Sequence, residues 1–134
     1  MPLELGLTHE TYHTVLPNDT AGSNRPGLPE VFSTPNLVAF LEWTAHLALV
    51  PELESGQTSV GAVVNVEHLA ATPVGMQVRF RAELIEIDRR RLKFRVEAWD
   101  EQDKIAQGEH IRVIIDLQRF NQQVEEKRSK ILGA

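Results

Sequence analysis

Ser33-Thr34-Pro35-Asn36-Leu37-Val38-Ala39-Phe40-Leu41-Glu42-Trp43-Thr44-Ala45-His46-Leu47-Ala48-Leu49-Val50-Pro51 is the stretch whose reading decides the fold. A hydroxyl residue precedes a proline, and the apolar series Leu37, Val38, Leu41, Ala45, Ala48 and Leu49 then recurs at helical spacing. Thr34 is the expected N-cap, and Pro51 with Gly56 ends the helix. The rest of the chain to about residue 117 reads as strand or loop. One long helix must therefore serve a whole sheet.

Upstream, residues 5–16 are rich in Thr, Tyr, Val and Leu and stop at Pro17, which predicts a short strand at a sheet edge. The run from Pro17 to Pro29 is dense in Gly, Pro, Asn and Ser and has no periodicity. It reads as a functional loop, because residues 1–16 are too few to form a second core that a linker would join. Downstream, Ser59 to Val66 reads as a strand. Val78, Phe80, Ala82 and Leu84 alternate, as do Leu92, Phe94, Val96 and Ala98, so the two runs predict a hairpin. Alternation changes phase at Leu84-Ile85, a sign of a β-bulge. Residues 105–117 put Ile111, Val113 and Ile115 on one face and His110 and Arg112 on the other, and a short surface helix is expected over about 118–131.

This order predicts an α+β chain in which an antiparallel sheet wraps one long central helix. A single domain over residues 1–134 is expected, with its core in about 5–117. Such a sheet leaves a long edge free, so a homodimer is expected, with a dimer of dimers as a further step.

At 134 residues the chain can bury roughly two-thirds of its unfolded surface, and 42% hydrophobic with 25% charged residues is ordinary globular usage. A formal net charge of −5 repels phosphate backbones and anionic membrane surfaces, so no nucleic-acid or membrane partner is expected. The absence of cysteine excludes disulfides, thiolate nucleophiles and thiolate metal sites. Nowhere do about 18 apolar residues run together, so a cytoplasmic protein is the default expectation.

Four places could carry chemistry. His9-Glu10-Thr11-Tyr12-His13 matches H-E-x-x-H, but that motif needs a helix to bring both imidazoles to one metal. Here the composition is that of a strand, which would hold the two rings about 13 Å apart, so solvent-facing strand residues and no metal are expected. Glu42 falls inside the apolar stripe between Val38 and Ala45, where partial burial would suit a base or nucleophile, whereas an edge glutamate pairing with His46 at i+4 fits the pattern equally. Thr34 serves a capping role without any chemistry, yet the free N–H groups of a helix start also suit a developing oxyanion. His68 ends a strand before a Pro-Gly turn, a good catalytic platform and an equally ordinary structural position.

Phe32-Ser33-Thr34-Pro35, Leu41-Glu42-Trp43-Thr44-Ala45, Thr58-Ser59-Val60-Gly61 and His68-Leu69-Ala70-Ala71-Thr72-Pro73-Val74-Gly75-Met76, taken in order, resemble the hotdog-fold thioesterases of the fluoroacetyl-CoA thioesterase type. The likeness continues through Arg90–Ala98 and Gly108–Arg112. It implies the hotdog fold, a catalytic set at Thr34, Glu42 and His68, and a backbone amide near Gly61 that helps to bind the thioester carbonyl. Hotdog sites lie at dimer interfaces, so the three residues need not come from one chain. The implied activity is hydrolysis of a small or medium acyl-CoA to carboxylate and free CoA, with no cofactor beyond the coenzyme A of the substrate. Non-catalytic acyl-CoA binding is the alternative. Arg90 and Arg91, within the basic run Arg89-Arg90-Arg91 at the predicted hairpin turn, are candidates for contact with the CoA phosphates. Residues 17–31 contain no aromatic residue to form a tight lid over a two-carbon acyl group, so a larger or more flexible acyl pocket is expected.

Overall fold

A computed structural model of the chain describes residues 3–133. In chain order the elements are β1 (Thr8–Thr14), α1 (Ala21–Asn24), α2 (Thr34–Leu49), β2 (Gln57–His68), β3 (Gln77–Asp88), β4 (Arg91–Trp99), β5 (Lys104–Asp116) and α3 (Leu117–Leu132). The strands form one antiparallel sheet in the order β1-β3-β4-β5-β2. The first strand does lie at an edge, and β2 forms the other.

α2 lies across one face of this sheet. Leu37, Leu41, Ala45, Ala48 and Leu49 are buried against Val78, Phe80, Ala82 and Leu84 of β3 and Leu92, Phe94, Val96 and Ala98 of β4. Each fully buried leucine or phenylalanine contributes roughly 2 kcal/mol through its lost contact with water. Thr44 also enters the stripe, where its hydroxyl donates to the Phe40 carbonyl at 2.7 Å and lies 2.7 Å from Thr11 Oγ1 of β1. The expected phase change is present as a register shift between Leu84 and Glu86.

On β5 the two expected faces are present, and the polar one lies inside: His110 and Arg112 are buried with Ile114, while Ile111, Val113 and Ile115 lie half-buried on the outer face. Register explains this, because His110 pairs with Phe94 and Arg112 with Leu92, and both partners face the helix. The tail helix is not short. α3 has 16 residues, as many as α2, and starts at Asp116, whose side chain accepts the Arg119 N–H. Finally, His13 does not face solvent. Its ring stacks on Phe40 of α2 at 4.2 Å, and its Nε2 lies 2.7 Å from Asp19 Oδ2.

Candidate active site

Thr34 is not the N-cap of α2. Ser33 takes that role with extended backbone angles and a side chain that accepts the Asn36 N–H, which leaves Thr34 as the first helical residue with its hydroxyl uncommitted to capping. Thr34 Oγ1 instead lies 2.8 Å from Nδ1 of His68, the last residue of β2. Burial pushes the His68 imidazole below its ordinary value of 6.5, and the Ala70 backbone pulls back only in part. The ring is therefore neutral near pH 7. The other ring nitrogen, Nε2, is buried and has no hydrogen-bond partner among the described residues. An orphaned buried polar atom is costly and rare, and one beside a hydroxyl–imidazole pair is what a site built to meet a substrate would contain. The pair opens on a pocket of about 400 Å³ whose walls include Pro29, Val31, Phe32, Ala70 and Ala71.

Glu42 lies eight residues further along α2, a rise of about 12 Å, and faces a different cleft. It does not pair with His46. Its Oε2 is 3.7 Å from Arg112 Nη1, with the Arg112 side chain 9% and the Glu42 side chain 38% exposed. Gly61 of β2 makes this approach possible, since a Cβ there would sit 2.6 Å from Glu42 Oε2. The register of β2 against β5 shifts between Gly61 and Val63, a bulge of the kind that re-aims backbone beside a functional site.

Arg112 organises the rest of this cleft. Its Nε donates to Ser59 Oγ at 2.7 Å, Nη2 to the Ser59 carbonyl at 3.0 Å, and Nη1 faces His110 Nε2 at 3.2 Å. An arginine has only donors, so His110 Nε2 accepts and its Nδ1–H donates to the Val63 carbonyl at 2.8 Å. The Ser59 hydroxyl, already accepting from Arg112, also forms a hydrogen bond with His46 Nδ1 at 2.7 Å. Burial lowers His46, and Arg112 adds to the effect. Burial likewise lowers His110, where the Val63 hydrogen bond opposes it, Arg112 reinforces it and Glu42 opposes it. Both rings are neutral beside the one cation. The cleft has a volume of about 410 Å³, with Trp43 stacked on His46 at its mouth.

The structure thus brings Thr34 and His68 together, and separately Glu42 and Gly61. Arg90 lies in the exposed β3–β4 turn, where Arg89 adopts a left-handed φ of 59°, and Arg91, also exposed, opens β4. Arg90 borders an open cleft of about 580 Å³ shared with Asp116, Arg119 and Gln122 at the start of α3. The sequence reading missed Ser59, His46 and Arg112 as members of the Glu42 cleft. The signal for Arg112 was present in its parity, since it alternates in step with Ile114 and a buried arginine requires a carboxylate and acceptors around it. His9, Glu10 and His13 lie on β1 rather than on a helix, and among the described residues no group of three His, Asp or Glu could hold a metal.

The chain matches the fluoroacetyl-CoA-specific thioesterase family over residues 15–118. A fluoroacetyl-CoA thioesterase from Streptantibioticus cattleyicolor is 44% identical over 99 residues, which cover 74% of this chain and 71% of that one. This chain belongs to the fluoroacetyl-CoA-specific thioesterase family. Among solved structures, that of the fluoroacetyl-CoA thioesterase FlK superposes with a TM-score of 0.90 at 37% identity, covering 95% of this chain and 98% of FlK. A thioesterase superfamily member from Thermus thermophilus superposes with a TM-score of 0.91 at 26% identity, covering 99% and 98%. The five-stranded sheet around α2 is accordingly a hotdog fold, and the activity is hydrolysis of an acyl-CoA thioester.

For a thioesterase of this family the two clefts offer complementary chemistry. Thr34 at the start of α2 combines a hydroxyl, a neutral imidazole acceptor and the positive end of a helix. The Glu42 cleft combines a carboxylate with glycine backbone and a fixed cation. Among the described residues no helix is long and apolar enough to cross a membrane.

Proposed function

We propose that this thioesterase works as a homodimer on small or medium acyl-CoA esters, with each active site built from the Thr34 pocket of one protomer and the Glu42 cleft of the other. The observation that carries the reading is the 2.8 Å contact between Thr34 Oγ1 and a neutral His68. The edge strand supports the dimer. Among the described residues β2 has no strand neighbour on its outer side, and its run Gly61–Asn65 is exposed, with Val63 and Val64 at 39% and 43%. An exposed apolar edge strand of 12 residues invites pairing with another chain. Two copies joined antiparallel about the middle of β2 would bring the Gly61 end of one toward the His68 end of its partner, which is the approach the chemistry needs.

In this site Thr34 Oγ1 attacks the thioester carbonyl as its proton passes to His68 Nδ1. A backbone amide near Gly61 and the Thr34 N–H, the donor at the start of α2 that Ser33 does not occupy, hold the oxyanion. Collapse of the tetrahedral intermediate expels the CoA thiolate, which takes the proton from His68. Glu42 then activates the water that hydrolyses the threonyl ester. The reaction needs no cofactor beyond the coenzyme A of the substrate. Loop residues 17–31 present Leu28, half exposed, and no aromatic ring, so the acyl pocket accommodates chains longer than two carbons. Arg90 and Arg91, which have no ion pair among the described residues, are free to meet the CoA phosphates. A cytoplasmic location is part of the same proposal.

The test is free-thiol release from acetyl, butyryl, hexanoyl and octanoyl-CoA by the parent and by Thr34→Ala. Turnover of the four- and six-carbon esters, lost in the variant, is expected. Activity confined to acetyl-CoA would remove the larger pocket, and parental rates in Thr34→Ala would remove the nucleophile.

A further inference from the structure

Asp19 is only 8% exposed, and no step above uses it. It begins the loop that leads into α2, and it is held from every side. Its Oδ2 accepts the Leu16 N–H at 2.7 Å and lies 2.7 Å from His13 Nε2, while Oδ1 accepts the Asn36 side-chain amide at 3.1 Å. Its backbone carbonyl accepts the Ser33 N–H at 2.9 Å. Ser33 and Asn36 are themselves locked, since Ser33 Oγ donates to Asn36 Oδ1 at 2.9 Å and accepts the Asn36 N–H at 3.2 Å. Burial opposes the charge on Asp19, but the His13 and Leu16 hydrogen bonds, the His13 charge and Asn36 together keep its carboxyl below the ordinary 3.8. An ionised carboxylate only accepts, so His13 Nε2 is the donor.

His13 reaches Asp19 from β1, with its ring stacked on Phe40 of α2. One carboxylate therefore joins the edge strand, the loop and the first turn of α2 immediately before Thr34. The loop it anchors supplies Pro29 and Val31 to the wall of the Thr34 pocket, and the Phe32 N–H donates to the Thr72 carbonyl at 2.8 Å beyond the His68 segment. A Thr34 hydroxyl that must meet Nδ1 at 2.8 Å is sensitive to the placement of its own turn, and a misplacement of 1 Å costs on the order of a hundredfold in rate.

We propose that the Asp19–His13 pair is a positioning device for the thioesterase reaction: it fixes the Ser33–Thr34 turn so that the Thr34 hydroxyl stays on His68. The proposal rests on Thr34 and His68 being the reacting pair. It also gives His13, part of a stretch that matches H-E-x-x-H without the helix that motif needs, a task of its own.

Asp19→Ala, His13→Leu and His13→Gln test it in the full chain, with Thr34→Ala as reference. Leucine keeps apolar contact with Phe40 but cannot donate to Asp19, whereas glutamine keeps an N–H donor. In protein shown to be folded by circular dichroism, Asp19→Ala and His13→Leu are expected to lower kcat about 10- to 100-fold with KM within threefold. His13→Gln should stay within threefold of the parent. Nitrogen-15 NMR of His68 should show a hydrogen-bonded Nδ1 acceptor in the parent and in His13→Gln, and a free one in His13→Leu. The proposal is overturned if folded His13→Leu keeps kcat within twofold, if only KM moves, or if glutamine loses as much as leucine. Abolished turnover in Thr34→Ala with normal kcat in His13→Leu would sink the positioning role alone. Normal turnover in Thr34→Ala would sink the reacting pair and this role with it.

Discussion

The Thr34 pocket and the Glu42 cleft lie toward opposite ends of β2, and they hold their polar groups by different means. At Thr34 one hydrogen bond joins a hydroxyl to an imidazole whose second nitrogen is left buried and unpartnered. At Glu42 the polar side chains around Arg112 are matched with one another: Ser59 takes two donors of the guanidinium, His110 faces a third, and His46 is hydrogen-bonded to Ser59. The first region is incomplete and the second nearly complete within one chain. The unsatisfied polar group thus lies at the end that holds the nucleophile, while the hydrogen-bonded network around Arg112 holds the Glu42 end in place.

The largest effect tests whether the two regions act together across a dimer. Glu42→Gln and His68→Ala homodimers should each lose on the order of a thousandfold in kcat. Mixing them at equal ratio after reversible unfolding should recover about a quarter of parental activity, because half of the dimers are mixed and one of their two sites carries both intact halves. No recovery on mixing would confine the site to one chain.

Arg112→Met sharpens the contrast in stability. It leaves the Ser59 and His110 acceptors in a buried setting without their shared donor, and buried acceptors left unpaired cost about 3 kcal/mol together, to which the half-exposed Glu42 adds little. A fall in Tm of about 10 °C is expected by calorimetry. His68→Asn, by contrast, removes a group that already lacks one partner and should leave Tm within about 2 °C while abolishing turnover.

Acidification should reach both regions, with a smaller effect. His68, His46 and His110 are all held below 6.5, with burial the largest cause in each case. Between the depressed folded values and 6.5 the unfolded chain binds more protons than the folded one. Stability is therefore held above pH 6.5 and lost as the pH falls through the folded values. Activity follows His68 alone: kcat/KM should fall tenfold per pH unit below a midpoint under 6.5 and stay flat above it. A midpoint above 7 would contradict the neutral imidazole.

Much of this architecture was legible in the sequence, because hydrophobic period speaks directly to it. The alternation in β3 and β4 fixed the hairpin, and the apolar series from Leu37 to Leu49 fixed the helix. Thr34 was misread as a cap because adjacent Ser33 and Thr34 both cap well, and only backbone angles separate an N-cap from a first helical residue. Arg112 was overlooked because polar residues alternating with isoleucine and valine suggest a solvent face, and nothing local says which face the helix covers. The clasp between His13 and Asp19 joins residues six apart across a turn that has no periodic signature.

The smallest expected effect concerns neither region but the turn beside them. The Arg90 carbonyl accepts the Ile114 N–H at 2.9 Å, so the basic turn lies one strand over from Arg112 and two from Gly61, roughly 10 Å away on the sheet. A pantetheine arm could span that distance. Because both guanidinium groups are exposed, their attraction for phosphate is weakened by water and salt and amounts to long-range capture rather than a tight grip. Arg90→Glu with Arg91→Glu should therefore raise KM for an acyl-CoA about three- to fivefold at low ionic strength, with kcat unchanged. The difference should vanish near 0.5 M salt and should be absent for an acyl-pantetheine ester that lacks the nucleotide. An equal rise in KM for the pantetheine ester would show that the turn acts through the sheet on the Glu42 cleft, and the two regions would then be coupled through β5 rather than only through substrate.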